Sequence, residues 1–458
     1  MSEVEDGQLV ESFPRSYRRG DDDFDHLVFA LKYDGVHPYA LVKAFHFTDR
    51  EALARRISDQ PTSSYARRIA FFCEQLAGHE LDIEDANQGP WVSAADPEQQ
   101  FCAAPRRHSR YRVEDNLLGG RGLCPLVRRS EAIEAGVAKQ LDRRIAEIMD
   151  GIDLALLRRI TGYLYAKETK SSFEIEREEP GTRINRYLAQ LARVDRLPLD
   201  ELAGLVELQN SLVDPRYADT NIRQEGEPEV YVGQTIGWRE HVHFVGAPSS
   251  STPALTEAWL KLREFTGPGA AVAEAAARAF AFVFIHPFSD GNGRLHRLLI
   301  HHTLARRGFT PPGCILPVSA VLLADPSSYD AALEDFSTKA MRHTDYELDR
   351  DGLLTIRDMD LDLYRYPDLS AQVGATFVWL ERAIEDGFVG EADFLRRYDQ
   401  TIARMRELVD MPDRKEQLFI TLCRDNGGRL SKRKRKQFAE LDDELVAALE
   451  QIVRDAMG

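Results

Sequence analysis

The chain has 458 residues, of which 43% are hydrophobic, so it is long enough for two or three domains with buried cores. Its formal net charge of −16 argues against a protein that binds nucleic acid over its whole surface. The five cysteines lie too far apart for a metal-binding pattern, and the first residues lack the apolar stretch of a secretory signal. We therefore expect a cytoplasmic protein with reduced thiols.

The predicted elements are mainly helical along the chain. Short helices and loops are mixed over residues 24–124, and a periodic helical pattern follows over 141–167. Residues 239–248 alternate between apolar and polar and predict a short strand or hairpin. A last helix is expected to begin with the basic run Lys432–Lys436, after Ser431 as its N-cap. The expected fold is mainly α with a small β-hairpin, in regions that span 1–130, 131–365 and 366–458.

The segment from His286 to Arg297 reads His-Pro-Phe-Ser-Asp-Gly-Asn-Gly-Arg-Leu-His-Arg and is the most informative part of the chain. An Ala- and Phe-rich pattern over Ala271–Ile285 predicts a buried helix before it, which is too short to span a bilayer. Another helical pattern begins after the turn Gly291-Asn292-Gly293. Glycines allow a tight turn, and a helix N-terminus favours anions, so this turn predicts a phosphate-binding cradle.

The charged residues of this segment suit the chemistry of a nucleotide. Arg294 and Arg297 are three residues apart on one helical face and can reach the same polyphosphate. Asp290 precedes the cradle, where a carboxylate usually carries Mg²⁺. His286 could accept a proton from an incoming hydroxyl near neutral pH. Taken singly, each residue is more often structural, and it is their order and spacing that favour a site.

That order resembles the signature of the Fic family, His-Pro-Phe-x-Asp/Glu-Gly-Asn-Gly-Arg-x-x-Arg, at every position. The resemblance implies a helical Fic core and a protein adenylyltransferase, which moves AMP from ATP to a Ser, Thr or Tyr of another protein and releases pyrophosphate. The roles it implies are a general base at His286, a Mg²⁺ ligand at Asp290, phosphate binding by Gly291, Asn292 and Gly293, and terminal-phosphate contacts from Arg294 and Arg297.

An inhibitory motif is also implied near residues 168–180. Ser172-Phe-Glu-Ile-Glu176-Arg177 resembles the family pattern Ser/Thr-x-x-x-Glu-Gly/Asn and departs from it at Arg177. The resemblance implies that Glu176 pairs with Arg297 and keeps ATP from its reactive pose. The alternative is an acidic run on a solvated face, since Glu174, Glu178 and Glu179 surround Glu176.

Two flanking segments complete the resemblance. The alternating stretch before the signature places Val242 and Phe244 on one side, and it is similar to the flap with which Fic proteins clamp their target. Tyr329 lies on a predicted helix that is similar to the one that borders the adenine, although a structural tyrosine fits equally well. His241 and His243 lack a third ligand at suitable spacing, so we expect no metal beyond Mg²⁺.

Other functions stay open at this stage. The same site could perform a different Fic-type transfer or remove AMP, or the chain could be a nucleotide-sensing regulatory or DNA-binding module without turnover. Acidic residues follow Lys432–Lys436 at once, which is a poor DNA footprint, so we expect no DNA partner and no membrane. The expected partner is a protein with a hydroxyl side chain, and a homo-oligomer is left open.

Overall fold

The computed structural model describes residues 2–5, 8–17, 20–179, 181, 183–236 and 239–457. Pro180, the last residue of the predicted inhibitory segment, lies outside this part of the chain. The described residues are mainly helical, as predicted. None of the helices among them combines the length and the apolar character needed to span a bilayer.

The N-terminal region packs helices around a core of its own, which includes Phe24, Phe45 and Phe72. Helices α1, α3 and α4 begin at side-chain caps, since Asp22, Asp49 and Ser63 each accept a hydrogen bond from a backbone N–H of the first turn. The elements of this region are β1 (Ser2–Glu5), β2 (Gln8–Glu11), α1 (Asp23–Tyr33), α2 (Pro38–Phe47), α3 (Arg50–Ser58), α4 (Ser64–Phe72), β3 (Val92–Ser93), β4 (Arg106–His108) and β5 (Val113–Asp115). Strand β5 pairs with β3 in parallel and with β4 antiparallel.

The next helices carry the predicted inhibitory segment. They are α5 (Glu131–Ala138), α6 (Leu141–Asp150), α7 (Leu154–Ile175), α8 (Arg183–Leu191) and α9 (Leu202–Leu212). The prediction of one helix over 141–167 is wrong, because a first helix ends before Gly151 and Asp153 caps a second one. Helix α7 then continues to Ile175, so the motif with Ser172 lies in its last turns.

The signature lies between two buried helices at the centre of the molecule. The elements that surround it are β6 (Tyr231–Ile236), β7 (Arg239–Val245), α10 (Thr252–Leu260), α11 (Ala270–Ile285), α12 (Asn292–Arg306), α13 (Val318–Ala324) and α14 (Pro326–Arg342). Strands β6 and β7 form an antiparallel hairpin, and residues 239–248, over which the sequence predicted a strand or hairpin, contain its second strand. Helices α11 and α12 pack against each other and are enclosed by the largest hydrophobic core.

The C-terminal part continues that core before it forms a smaller one. Its elements are β8 (Thr344–Leu348), β9 (Leu354–Met359), α15 (Leu361–Arg365), α16 (Ser370–Arg382), α17 (Gly390–Leu408), α18 (Asp413–Arg424) and α19 (Asp443–Met457). A π-helical stretch, Ala383–Val389, joins α16 to α17. The core around α11 includes Trp379 and ends near Ala392, and a separate cluster begins at Met405. The central core therefore extends past residue 366, where a domain border was predicted. It also includes residues before the predicted border at 130, such as Phe101.

The basic run near the C-terminus differs from its prediction. Lys432–Lys436 lies in turns that pass into a 3₁₀-helix, Lys434–Phe438, rather than at the start of an α-helix. The last helix begins at Asp443, where Asp442 accepts a hydrogen bond from Leu445 N at 2.8 Å. An aspartate is a better N-cap than a run of cations, because a helix N-terminus carries partial positive charge.

Candidate active site

The signature loop is a tight connection between α11 and α12. His286 ends α11 with a left-handed backbone (φ 56°), and its N–H donates to the Phe282 carbonyl. Asn292 closes the loop from both sides, because its Nδ2 donates to Phe288 O at 2.7 Å and its Oδ1 accepts from Phe288 N at 3.1 Å. Gly291 takes φ 87° at the start of α12, where a side chain would be strained. The loop is thus fixed by local contacts before any ligand binds.

The His286 ring presents one nitrogen as a base. Its Nδ1 lies 3.1 Å from the Val283 carbonyl, which can only accept, so the proton of the neutral ring sits on Nδ1 and the Nε2 lone pair stays available. Burial of the ring and the neighbouring Arg223 guanidinium lower the pKa of His286 to about 4. The imidazole is therefore neutral at physiological pH and can accept a proton.

Arg223, which the sequence analysis missed, holds the end of α11. Its guanidinium is almost fully buried and donates to the carbonyls of His286 at 2.9 Å and Ala247 at 2.7 Å. Its backbone N–H donates to Pro287 O at 2.8 Å. Carbonyls at the end of a helix lack partners within that helix, and this arginine supplies one. No motif marks Arg223, because its partners lie far along the chain.

The N-terminus of α12 has the free backbone donors that bind an anion. Gly291 at the cap provides no side-chain hydrogen bond, so the first N–H groups of the helix lack a local side-chain partner. A Cβ on Gly293 would lie 2.3 Å from Glu176 Oε1, which means that the Glu176 carboxylate rests directly against this first turn. The surface on which we predicted phosphate binding is covered by a carboxylate from α7's C-terminal end.

Glu176 is joined to Arg297, as the resemblance implied. Arg297 Nη2 donates to Glu176 Oε1 at 2.7 Å and to the Ser172 carbonyl at 2.9 Å, and its Nε donates to Ser172 Oγ at 3.1 Å. Burial opposes the charge on Glu176, but the charge and hydrogen bond of Arg297, together with the charge of Arg294, outweigh burial and hold the pKa of the carboxyl below its ordinary value. Arg297 is 1% exposed and Glu176 is 31% exposed, so the ion pair is buried at the guanidinium and reaches the surface at the carboxylate.

Arg294 is engaged on two sides. Its Nη2 lies 3.2 Å from Asp290 Oδ1, and its Nη1 donates to Glu178 Oε2 at 3.1 Å and to the Leu212 carbonyl at 2.9 Å. The guanidinium is 1% exposed. Both signature arginines are therefore neutralised by carboxylates of the protein. The sequence analysis considered Glu178 only as a member of the acidic run that was the alternative interpretation of this segment.

The turn after α7 explains how these carboxylates reach the arginines. Arg177 adopts a left-handed backbone (φ 56°), its N–H donates to Glu174 O, and the N–H of Glu178 donates to Phe173 O. This is a Schellman ending, in which the residue after the cap is usually glycine or asparagine. The Gly/Asn of the family pattern thus corresponds to a left-handed position that Arg177 occupies here, and its exposed side chain does not compete for Glu176.

The structure also places the two residues predicted on flanking segments. Tyr329 lies on α14 near Arg297 and Glu176, and burial raises the pKa of its hydroxyl to about 12. Phe244 is buried, with its ring 6.0 Å from that of Phe284, and Val242 is half-buried. The predicted docking face of the hairpin therefore looks towards the core. Docking at this hairpin stays a prediction, and it would use the strand backbone and the outward side chains.

A second carboxylate lies next to Asp290. Asp219 Oδ2 accepts from Ser289 N at 3.0 Å, and burial raises the pKa of Asp219. The buried Gln209 amide donates to Asp219 Oδ2 and to the Asp290 carbonyl at 3.2 Å each. Mg²⁺ binds through one or two carboxylates together with substrate phosphates, so the donor set fits this ion. Within the part of the chain that the structure describes, no group of three or more His, Cys, Asp or Glu side chains could hold a metal ion by itself.

Comparison with known families agrees with this geometry. Residues 198–304 match the model of the Fic/DOC family, from just before α9 to the end of α12. This segment is a Fic/DOC family segment. The match supports a transferase of the Fic type in general. It covers the hairpin, the cradle and both arginines, whereas α7 with Glu176 and α14 with Tyr329 lie outside it.

Comparison with whole proteins adds less. A search of curated proteins found no match. Among solved structures, the chain is similar to a Fic family protein from Desulfovibrio desulfuricans G20, with 17% identity, a TM-score of 0.43, and coverage of 68% of this chain and 85% of that chain.

Proposed function

We propose that this protein transfers AMP from ATP to a Ser, Thr or Tyr hydroxyl of a protein target. The observation that carries the proposal is the His286 ring, whose Nδ1–H is held by Val283 O while Nε2 is left as a base beside an uncapped helix N-terminus and two arginines. A neutral base next to an anion-binding turn is what an attack of a hydroxyl on a phosphate requires.

The proposed reaction uses each of these groups. The target hydroxyl loses its proton to His286 Nε2, its oxygen bonds to the α-phosphorus of ATP, and the bond from that phosphorus to the α,β-bridging oxygen breaks. Pyrophosphate leaves. The first turn of α12 and Arg294 and Arg297 would hold the β- and γ-phosphates, and Tyr329 would border the adenine. Asp290 would hold Mg²⁺, which supplies positive charge against the phosphates.

In this structure the carboxylate of Glu176 occupies the proposed phosphate-binding surface. It covers the first turn of α12 and pairs with Arg297 at 2.7 Å, so the terminal phosphates of ATP would meet negative charge where they need positive charge. We therefore propose that Glu176 and Ser172 form an inhibitory contact. All five cysteines are free and buried, which suits the cytoplasmic location that we propose.

The experiment is a transfer assay with ATP labelled at the α- or the γ-phosphate. The purified wild type, Glu176→Gly and Glu176→Gly/His286→Ala proteins are incubated with Mg²⁺, alone and with a lysate. We expect Glu176→Gly to label itself or a target from α-labelled ATP only, at a rate above the wild type. Loss of the general base should reduce that rate by roughly 10²–10⁴-fold while nucleotide binding persists.

The two labels separate the proposal from its competitors. Label transferred from the γ-phosphate would identify phosphate transfer rather than AMP transfer. If Glu176→Gly binds ATP but transfers neither label, the protein is a nucleotide sensor and the proposed reaction is refuted. Mass spectrometry of a labelled peptide then identifies the modified residue and the target protein.

A further inference from the structure

Glu178 lies two residues beyond Glu176 and makes the matching contact with the other signature arginine. Its Oε2 accepts from Arg294 Nη1 at 3.1 Å and from Arg183 Nη1 at 2.5 Å. The Glu178 side chain is 29% exposed, whereas Arg294 is 1% exposed. A buried guanidinium that gains a carboxylate partner is stabilised, and any ligand that needs it must displace that partner.

The turn after α7 directs the carboxylates of Glu176 and Glu178 towards α12. The left-handed Arg177 reverses the chain, so Glu176 lies against α12 at Arg297 and Glu178 lies one turn earlier at Arg294. The Phe173 ring lies beneath this turn, 5.7 Å from the Arg294 guanidinium. The end of α7 is therefore a unit that packs through Phe173 and presents negative charge to both arginines.

We propose that Glu178 is a second inhibitory residue, which occupies Arg294 while Glu176 occupies Arg297. The inference rests on the proposed function, because it takes both arginines as ligands of the terminal phosphates of a nucleoside triphosphate. A ligand with those phosphates competes with both carboxylates, whereas AMP competes with neither. Removal of Glu176 alone leaves Arg294 occupied, so the closed state has two separable contacts.

The first test is equilibrium binding by calorimetry, with α,β-methylene ATP and with AMP as probes. We expect Glu178→Gln to bind the triphosphate about tenfold more tightly than the wild type, with unchanged affinity for AMP. The double variant Glu176→Gly/Glu178→Gln should exceed either single variant. The matched control is Glu179→Gln, an exposed neighbour whose change removes the same charge and should leave both affinities unaltered.

A purely structural role for Glu178 predicts a different result. Glu178 could serve only to anchor Arg183 at the start of α8, in which case Arg183→Gln and Glu178→Gln would affect binding alike. If Glu178 is inhibitory, Arg183→Gln removes the other partner of Glu178, so that its carboxylate pairs with Arg294 alone. The affinity for the triphosphate should then fall. Changes of the same sign in both variants would overturn the inference. Where Glu178→Gln unfolds, as judged by its melting curve, the Arg183→Gln result decides.

The outcome is distinguishable from failure of the proposed reaction. If Glu176→Gly transfers AMP but Glu178→Gln binds the triphosphate no better than the wild type, the second contact is refuted and the reaction stands. If Glu178→Gln binds more tightly although no variant transfers label, the contact stands and the reaction is refuted.

Discussion

At the scale of single residues, the site depends on two side chains whose backbones are left-handed. His286 and Arg177 both have φ 56°, which is uncommon for residues other than glycine. Each ends a helix and turns the chain at once. His286 is thereby placed close enough to Glu176 to interact with it electrostatically, and Glu176 and Glu178 reach the two signature arginines. Strained backbone of this kind persists only where the surroundings hold it.

The pKa of His286 leads to the first prediction. Because burial and Arg223 lower it to about 4, the folded ring should stay neutral as the pH falls from 7 to 5. The unfolded chain binds the proton near the ordinary value of 6.5, so this histidine reduces the stability of the fold progressively as the pH falls through that window. NMR titration of histidine-labelled protein checks this, with the His286 signal assigned by its absence in His286→Gln. A midpoint near 6.5 would contradict the burial argument.

The second prediction concerns Arg177. Glycine takes a positive φ without the steric cost that arginine bears, and part of this gain is offset by the greater freedom of glycine in the unfolded chain. We expect Arg177→Gly to raise the free energy of unfolding by about 0.5–1 kcal/mol. The control is Lys170→Gly at an exposed position inside α7, which should lower it by about 1 kcal/mol. Urea denaturation measures both, and a loss of stability in Arg177→Gly would show that its left-handed backbone is not strained.

At the scale of elements, the site is built where α7, α11, α12 and the β6–β7 hairpin meet. The last turns of α7 reach α12 through Ser172, and a deeper contact lies further back, where His301 Nε2 donates to the buried Glu168 at 2.9 Å. The hairpin covers the other side, with Phe244 packed towards Phe284. Each element thus contributes to the core and to the candidate site, so that mutations at this junction are expected to affect stability as well as function.

Phe244 provides the third prediction. Its side chain is 8% exposed and contacts other aromatic rings, so Phe244→Ala should lower the free energy of unfolding by about 3–5 kcal/mol. Its neighbour His243 is exposed on the other face of β7, and His243→Ala should change stability by less than about 0.5 kcal/mol. Thermal melting of the two variants compares them. Equal melting temperatures would mean that the hairpin does not share the core, and that Phe244 is free for a target.

At the scale of the whole molecule, hydrophobic cores and predicted domains do not coincide. The sequence analysis placed helix α16 in the C-terminal region. The ring of its Trp379, however, lies 6.1 Å from the ring of Phe280 in α11, measured between centroids, and its Nε1 donates to Ser328 Oγ. Within the C-terminal region, the cluster that begins at Met405 is separate from this core. We therefore propose that the Fic region extends through α16 and into α17, up to about residue 400, with a small helical unit after it.

Truncation tests that division. A chain that ends at residue 365 lacks α16 and exposes the face of α11 that Trp379 covers, so we expect it to aggregate or to lose its cooperative melting transition. A chain that ends at Leu408 keeps the central core and loses only the last cluster, and it should stay folded. Circular dichroism and size-exclusion chromatography compare the two. Cooperative melting of the shorter chain would restore the border at 366.

The local parts of the site could be predicted from the sequence. His286, Asp290, the cradle and the two arginines lie within twelve consecutive residues, and their geometry follows from a helix end, a tight turn and a helix start. The motif at Glu176 was likewise visible, because it resembles a family pattern that spans only six consecutive residues, the last of which ends the helix.

The distant groups that reach this segment could not be predicted, because they are brought to it by the packing of the folded chain. Arg223 holds the carbonyl of a residue 63 positions away, and Glu178 meets an arginine 116 positions away. Nothing in an acidic run or a lone arginine distinguishes such residues from solvated ones, because their partners depend on how helices far apart in the chain pack. The same reason applies to Phe244, since alternation along a strand shows that it has two faces but not which of them is buried.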